Sequence, residues 1–178
     1  MSNISDFKAN FNGGSRANLF KAIVNFPGDN KSLTELSSFM IKGASLPASV
    51  IANIDVPYRG RQIKVAGDRT FEPMTFTVIN DGNMVIRNEF EKWMNAISAH
   101  EGNTSAFSTV GNPLAYYADV EIYQLDRSGS EVPTKAYKLI DAYPTNVSAI
   151  ELSYDANDAV EEFTVEMSFQ YWTSNTTS

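Results

Sequence analysis

Few side chains in this chain could support catalysis or bind a metal. His100 is the one histidine and cysteine is absent, which excludes a two-histidine zinc site and any thiolate site within a single chain. His100 follows a predicted helix, where a cation interacts favourably with the terminal carbonyl groups. This structural role is favoured over acid–base catalysis.

The acidic clusters point to turns and strands instead of reactive sites. Asp155, Asn157 and Asp158 are spaced like the opening of a calcium loop, but the glycine and terminal glutamate of such a loop do not follow. Glu161 and Glu162 are adjacent at a predicted strand start, so their side chains point to opposite faces. We therefore predict no catalytic residues, no metal site, no cofactor and no enzyme activity.

A basic, glycine-punctuated segment over 57–72 stands out in a chain of net charge −7. Its charged residues are Arg59, Arg61, Lys64, Asp68, Arg69 and Glu72, and all but Glu72 are candidate contacts with a partner. A nucleic-acid contact beside Tyr58 is one interpretation. A complement to acidic groups of a protein partner is favoured, because binding nucleic acid by phosphate neutralisation requires more clustered Lys and Arg than this acidic chain offers.

Length and composition predict one folded domain. A chain of 178 residues with 43% hydrophobic and 20% charged residues can bury a substantial core. The polar N-terminal stretch lacks the apolar core of a signal peptide, and no apolar run approaches the roughly 20 residues of a membrane span. We expect a polar arm over 1–17, a domain over 18–172, a C-terminal tail over 173–178, folding in a cytoplasm and no membrane insertion.

The elements that must position these residues are mainly β, because aromatic and β-branched runs alternate with turn residues. Candidate strands are 18–26, 36–46, 50–57, 72–80, 115–126, 134–143, 147–154 and 160–172. One helix is predicted over 83–98, with Ile86, Phe90, Trp93 and Ile97 on one face. Asp81 or Asn83 can cap its start.

A weak internal repeat predicts two long hairpins, over 36–57 and 134–155, with Pro47 and Pro144 at their tips. Two hairpins that merely share turn chemistry are the alternative. Along 50–56, alternation places Val50, Ala52, Ile54 and Val56 on a buried face, and along 150–155 it places Ile150, Leu152 and Tyr154 there. The strand edges carry little charge or proline, so we expect them to pair with neighbouring subunits.

The chain resembles the tail tube proteins of contractile-tailed bacteriophages over roughly Asn18 to Trp172. The resemblance is carried by segments 65–71, 77–81, 143–147 and 163–167, in that order, together with the helix that contains Phe90 and Trp93. It implies an antiparallel β-barrel or sandwich with one flanking helix, whose two hairpins join neighbours into hexameric rings. Stacked rings would form a tube that conducts genome DNA. Tubes of type VI secretion systems and contractile bacteriocins are related.

The resemblance also implies residue roles. The hairpins would line the channel with Asn53, Asp55, Lys138, Glu151 and Ser153, and the 57–72 loop would reach the adjacent ring. Carboxylates in the bore would repel phosphates over roughly 8 Å at physiological salt. Lys138 fits this channel least well, and pairing with Glu151 would neutralise it.

The leading hypothesis is therefore a structural virion protein, assembled in the host cytoplasm. Its implied partners are further copies of itself, the tail sheath, baseplate, tape-measure and tail-terminator proteins, and DNA in transit without specific binding. A tube or adaptor of a secretion or bacteriocin particle, moving protein instead of DNA, is the first alternative. A monomeric β-barrel binding domain or enzyme is the second.

Overall fold

The computed structural model describes residues 3–11, 13–28, 31–102, 104–109, 114–127, 132–155 and 157–177. The helices are α1 (Ile4–Phe11), α2 (Lys31–Met40), α3 (Val85–Ile97) and α4 (Ala106–Thr109). The strands are β1 (Phe20–Val24), β2 (Ile41–Ala44), β3 (Val50–Tyr58), β4 (Arg61–Thr70), β5 (Met74–Ile79), β6 (Ala118–Gln124), β7 (Lys135–Val147), β8 (Glu162–Ser168) and β9 (Tyr171–Ser174). The predicted mainly β fold is confirmed.

Seven strands form one antiparallel sheet in the order β1-β6-β7-β8-β5-β2, with β9 pairing the first part of β7. β7 bends at Asp141, which has φ 54°, so that its first half pairs β6 and its second half pairs β8. β1 and β2 remain edge strands, so the described strands do not close into a barrel. β3 and β4 pair only with each other, as a separate two-stranded sheet.

The core includes the β5–β8 part of the sheet and α3, together with buried side chains of β1, β6, β7 and α2. Alternation in β5 buries Met74, Phe76 and Val78, and the facing register in β8 buries Phe163 and Val165. Burying one such side chain stabilises the fold by about 1.5–3 kcal/mol. The helix covers this layer with three buried side chains, Ile86, Phe90 and Trp93.

The predicted helix over 83–98 is confirmed as α3. Asp81 holds its entry, since the two carboxylate oxygens accept the backbone N–H groups of Asn83 at 3.3 Å and Val85 at 2.8 Å. The Asn83 side chain makes no described cap bond, and the residue at the cap position is Met84, with φ 54°. The expected cap is thus supplied by Asp81.

The structure contains three helices that the sequence pattern did not predict. The most consequential is α2, which occupies much of the segment expected as strand 36–46 and leaves only Ile41–Ala44 extended. Leu33 and Ser37 are four residues apart and form its buried face. Ser37 Oγ donates to Thr34 O at 2.7 Å and accepts the Val24 N–H at 3.3 Å, so α2 satisfies part of the free edge of β1.

Both predicted hairpin spans were wrong. The first hairpin covers 50–70 instead of 36–57, since β3 pairs forward with β4. The second, over 134–155, does not form: β7 continues to Val147 and pairs with β8 instead of turning at Pro144, which lies at a register shift. No strand is found among the described residues of 148–161, where strand 147–154 was expected.

Two further features concern the ends and the membrane. The tail expected from residue 173 begins inside a strand, because Thr173 and Ser174 belong to β9 and pair with Lys138 and Tyr137. α1 lies within the expected polar arm. Within the described ranges, no helix is both long and apolar enough to cross a membrane.

Candidate assembly surface

The β3–β4 hairpin turns through two residues, Arg59 and Gly60, between the paired Tyr58 and Arg61. Both turn residues have positive φ, 45° for Arg59 and 82° for Gly60. Two consecutive positive φ values characterise the type I′ turn, whose twist matches that of antiparallel strands. Glycine in the second position adopts this backbone without steric cost. The turn therefore fixes the register of the whole ribbon.

A bulge lies near the base of the hairpin, where Gly67 and Asp68 oppose Ala52 alone. A Cβ at position 67 would lie 3.0 Å from Ala52 O and 3.1 Å from Ile54 Cγ1. The bulge therefore requires the close backbone approach that glycine permits.

The cross-strand register sorts the side chains of the hairpin onto two faces. Ile54 opposes Val65 and Val56 opposes Ile63, which makes one face apolar. The other face is polar, and on it Asp55 opposes Lys64. The alternation predicted along 50–56 is confirmed, since successive residues lie in turn on the apolar face and on the polar face.

The expected burial of that apolar face is not found in the isolated chain. Every residue of β3 is exposed, and every residue of β4 except the half-buried Gly67. A two-stranded hairpin of this kind is at best marginally stable alone in water. The surface needs a partner to bury its apolar side chains.

The predicted loop over 57–72 is the turn and second strand of this hairpin. Arg59 lies at its tip, and the other predicted contact residues, Arg61, Lys64, Asp68 and Arg69, lie on β4. Arg59 sits over the ring of Tyr58, 5.6 Å from its centroid. The structure gathers these residues on one projecting element, together with Asn53 and Asp55, which were expected in the channel. Their contact and channel roles stay predictions.

The other three predicted channel residues lie elsewhere. Lys138 is on β7, and its Nζ lies 2.7 Å from Asp119 Oδ2, so the suggested pairing with Glu151 was wrong. The hydrogen bond that Lys138 Nζ donates to the Asp119 carboxylate raises the pKa of Lys138, although partial burial opposes the shift. Glu151 and Ser153 are exposed in the connection between β7 and β8.

The residues that were weighed as catalytic or metal-binding candidates are exposed or take part in structural contacts. His100 is exposed, and its backbone N–H donates to Asn95 Oδ1 at 3.3 Å. Asn80 Nδ2 donates to Glu161 Oε2 at 3.0 Å, while Glu162 pairs with Lys42 at 2.5 Å. No cluster of metal-ligating side chains occurs in the part of the chain that the structure describes. Ala156, inside the calcium-like stretch, lies outside the described residues.

Two exposed apolar surfaces of the chain were not predicted from the sequence. On α1, Phe7 and Phe11 stack with ring centroids 5.4 Å apart, yet remain 63% and 55% exposed. Their four-residue spacing could have revealed that helix. Leu152 and Tyr154, expected on a buried strand face, are 77% and 103% exposed. Strand-like alternation misled here, because the segment forms no strand.

The sequence of this chain matches a known protein family and known relatives. The model of the phage tail tube protein family matches residues 2–175. The tail tube protein gp19 of Enterobacteria phage T4 is 33% identical over 171 residues, which cover 95% of this chain and 98% of that protein. The tail tube protein of Serratia phage KSP90 is 27% identical over 174 residues, with 95% of each chain covered.

Solved structures share the fold at low sequence identity. A chain in the sheath–tube complex of an extracellular contractile injection system has a TM-score of 0.60 and 13% identity, with 98% of this chain and 99% of that chain covered. A chain in the anti-feeding prophage baseplate has a TM-score of 0.64 and 13% identity, with 90% and 94% covered. The expected architecture is thus shared with components of contractile particles.

Proposed function

The chain belongs to the phage tail tube protein family, and we propose that its copies form hexameric rings that stack into the inner tube of a contractile tail. The observation that carries this proposal is the hairpin formed by β3 and β4. It exposes an apolar face that a monomer would leave in water. Assembly with further copies gives that face a partner.

Closure of the ring would use the free edges of the large sheet. β1 and β2 end the strand order, and each leaves backbone groups that another strand can pair. The side chain of Ser37 satisfies only one N–H of β1. Pairing between the edges of successive subunits, repeated until the first copy meets the last, removes every edge.

Stacking of the rings would use the hairpin. With about 3.3 Å per residue, a strand of nine residues such as β3 spans roughly 30 Å, and the exposed hairpin would reach toward the next ring. The apolar face would lie against the neighbouring ring. The polar face, with Asn53, Asp55, Lys64 and Arg69, would face the channel. The cations at the tip of the hairpin, Arg59 and Arg61, would meet acidic groups of the neighbour.

The channel would pass genome DNA without holding it. The chain carries net charge −7, and carboxylates such as Asp55 and Glu151 repel phosphates at short range. Lys138 supports the same role, because its ion pair with Asp119 cancels the cation expected in the bore. Ser153 would add a neutral polar group.

The remaining partners follow from the tail architecture. We propose contacts with the sheath around the tube, with the baseplate and terminator at its ends, and with the tape-measure protein inside it, after folding in the host cytoplasm. Likeness in fold to chains in a sheath–tube complex and a baseplate of contractile particles supports the contacts with sheath and baseplate. The protein would act without catalysis, cofactor or membrane insertion.

Electron microscopy of the purified, concentrated protein tests the proposal. Hollow tubes with sixfold end views are expected, whereas a persistent 19.7 kDa species by light scattering, even with a nucleating baseplate present, would overturn it. Arg61→Glu, at the tip of the hairpin, should keep the circular dichroism spectrum and block stacking. Lys31→Glu makes the same charge change on α2 and should leave tubes at normal length.

A further inference from the structure

The hairpin surface has a defined chemical character. Its apolar face carries Val50, Ile54, Val56, Ile63 and Val65, each between 44% and 54% exposed, and ends at the tip with the pair Tyr58 and Arg61. Exposed apolar surface beside charged residues marks a protein interface. A partner must therefore offer apolar side chains of its own.

The same surface is basic in an acidic protein. Residues 50–70 contain four Arg or Lys and two Asp, a net charge of +2, so the remainder of a chain of net charge −7 carries −9. None of the ion pairs found among the described residues involves the hairpin. Its cations are available to carboxylates of a second molecule.

Segment 148–161, which connects β7 to β8, has the complementary character. It contains four carboxylates and neither Lys nor Arg. Leu152, Tyr154 and Val160 are exposed by 77%, 103% and 69%. Two limbs of the segment flank a cleft of about 250 Å³ lined by residues of 149–153 and 159–162. One surface of the chain is thus basic and apolar, and another is acidic and apolar.

The register of β5 with β8 places these surfaces at opposite ends of the sheet. Met74 pairs with Met167, and Ile79 pairs with Glu162. The hairpin enters β5 at its Met74 end, whereas segment 148–161 enters β8 at Glu162, beside Ile79. The six residues of β5 separate the two points of attachment by roughly 17 Å.

From this arrangement we propose that the hairpin of one copy docks on segment 148–161 of the next copy. The inference rests on the proposed tube, for which it names the acceptor and the direction of stacking. The contact joins two different surfaces, so each docked copy still presents a free hairpin at one end and a free acceptor at the other. Heterologous contacts of this kind propagate without closing and give a filament with two distinct ends.

Reciprocal charge reversal tests this contact. The hairpin variant is Arg59→Glu with Arg61→Glu, and the acceptor variant is Asp155→Lys with Asp158→Lys, at two exposed carboxylates of segment 148–161. Alone, each variant opposes like charges at every contact, and we expect the concentration needed for pelletable tubes to rise about tenfold or more. Glu35→Lys with Glu101→Lys is the matched control, since both residues are exposed outside segment 148–161, and should sediment like the wild type.

An equal mixture of the two variants gives the decisive result. The reversed hairpin of one variant then faces the reversed acceptor of the other, and the two unreversed surfaces face each other, so rings of the two variants should alternate and tubes should return. Tube formation by the acceptor variant alone, or no recovery in the mixture, would overturn the contact while wild-type tubes still upheld the proposed function. Wild-type protein that never polymerises would overturn both.

The same variants test whether the hairpin binds nucleic acid instead of a second copy of the chain. Filter binding to double-stranded DNA at low salt should differ little between wild type and the hairpin variant. If the hairpin variant loses DNA binding yet forms tubes at the wild-type concentration, its cations serve nucleic acid and the proposed contact is wrong.

Discussion

Lys138 Nζ lies 2.7 Å from Asp119 Oδ2, and this ion pair joins β7 to β6 where the register between the two strands shifts. Residues Ile140 and Asp141 oppose Asp119 at that shift. A cation expected in the channel is therefore neutralised within its own subunit. Lys138 directly opposes Glu121, so Asp119 is its diagonal neighbour across the two strands, a position that only the folded sheet creates.

Replacing Lys138 with Met should cost about 0.2–1 kcal/mol, because both partners are partly exposed and solvent screens the pair. The pKa of Lys138 is raised above its ordinary value of 10.5 in the folded chain. The stabilisation is thus fully present below that value and is lost as pH rises through the raised pKa. In urea titrations, the difference in stability between wild type and Lys138→Met should therefore be smaller at pH 11 than at pH 7.

Truncating a core aromatic side chain should be severe. Phe76 is 1% exposed, and Phe76→Ala should cost about 3–5 kcal/mol from lost burial and the cavity left behind. Phe39, on α2, is 80% exposed and gives a matched control expected to change stability by less than about 0.5 kcal/mol. Equal losses in chemical denaturation would contradict the assigned core.

Ser37→Ala should destabilise the chain by about 1–3 kcal/mol, since it leaves the buried Val24 N–H without its partner. Ser38 is the natural comparison, because its hydroxyl donates to Glu35 O at 2.7 Å on the exposed side of α2. Ser38→Ala should have little effect. Thermal unfolding of the two variants therefore distinguishes a hydroxyl that bonds the edge of β1 from a hydroxyl that bonds only within its own helix.

Gly60→Ala should weaken the hairpin turn by about 1–2 kcal/mol, because alanine at φ 82° meets the steric penalty of left-handed backbone. The hairpin belongs to its own sheet, so global unfolding should hardly change. Amide exchange in β3 and β4 should quicken by at most about tenfold, because the hairpin alone is only marginally stable. Gly82→Ala is the control, as nothing lies within 4 Å of its added Cβ and its φ is not positive; unchanged exchange for Gly60→Ala would refute the turn.

Local patterns predicted some elements well. The helix around Phe90 and Trp93 follows from side-chain periodicity, and its cap follows from the oxygen atoms of Asp81. The alternation along 50–56 correctly separated an apolar face from a polar one. These features depend on residues close together in the chain, so a single sequence contains the necessary information.

Features that depend on distant residues were not predictable in the same way. α2 occupies a segment with ambiguous periodicity, and the contact of Ser37 with Val24 across 13 residues fixes it against β1. The strand expected over 147–154 does not form, because β7 is already paired with β8 up to Val147. In both segments the structure depends on contacts with other strands, and the local preference of the residues for helix or strand did not decide it.

The sequence by itself determined a mainly β chain, a single strongly amphipathic helix, a basic segment in an acidic protein and the family resemblance, because composition and short-range spacing encode each of these. The tertiary structure decided where the hairpin lies, that Lys138 pairs with Asp119, and that the basic and acidic surfaces occupy opposite ends of β5. Those relationships depend on strand register, which is set by long-range pairing and by packing of the whole sheet.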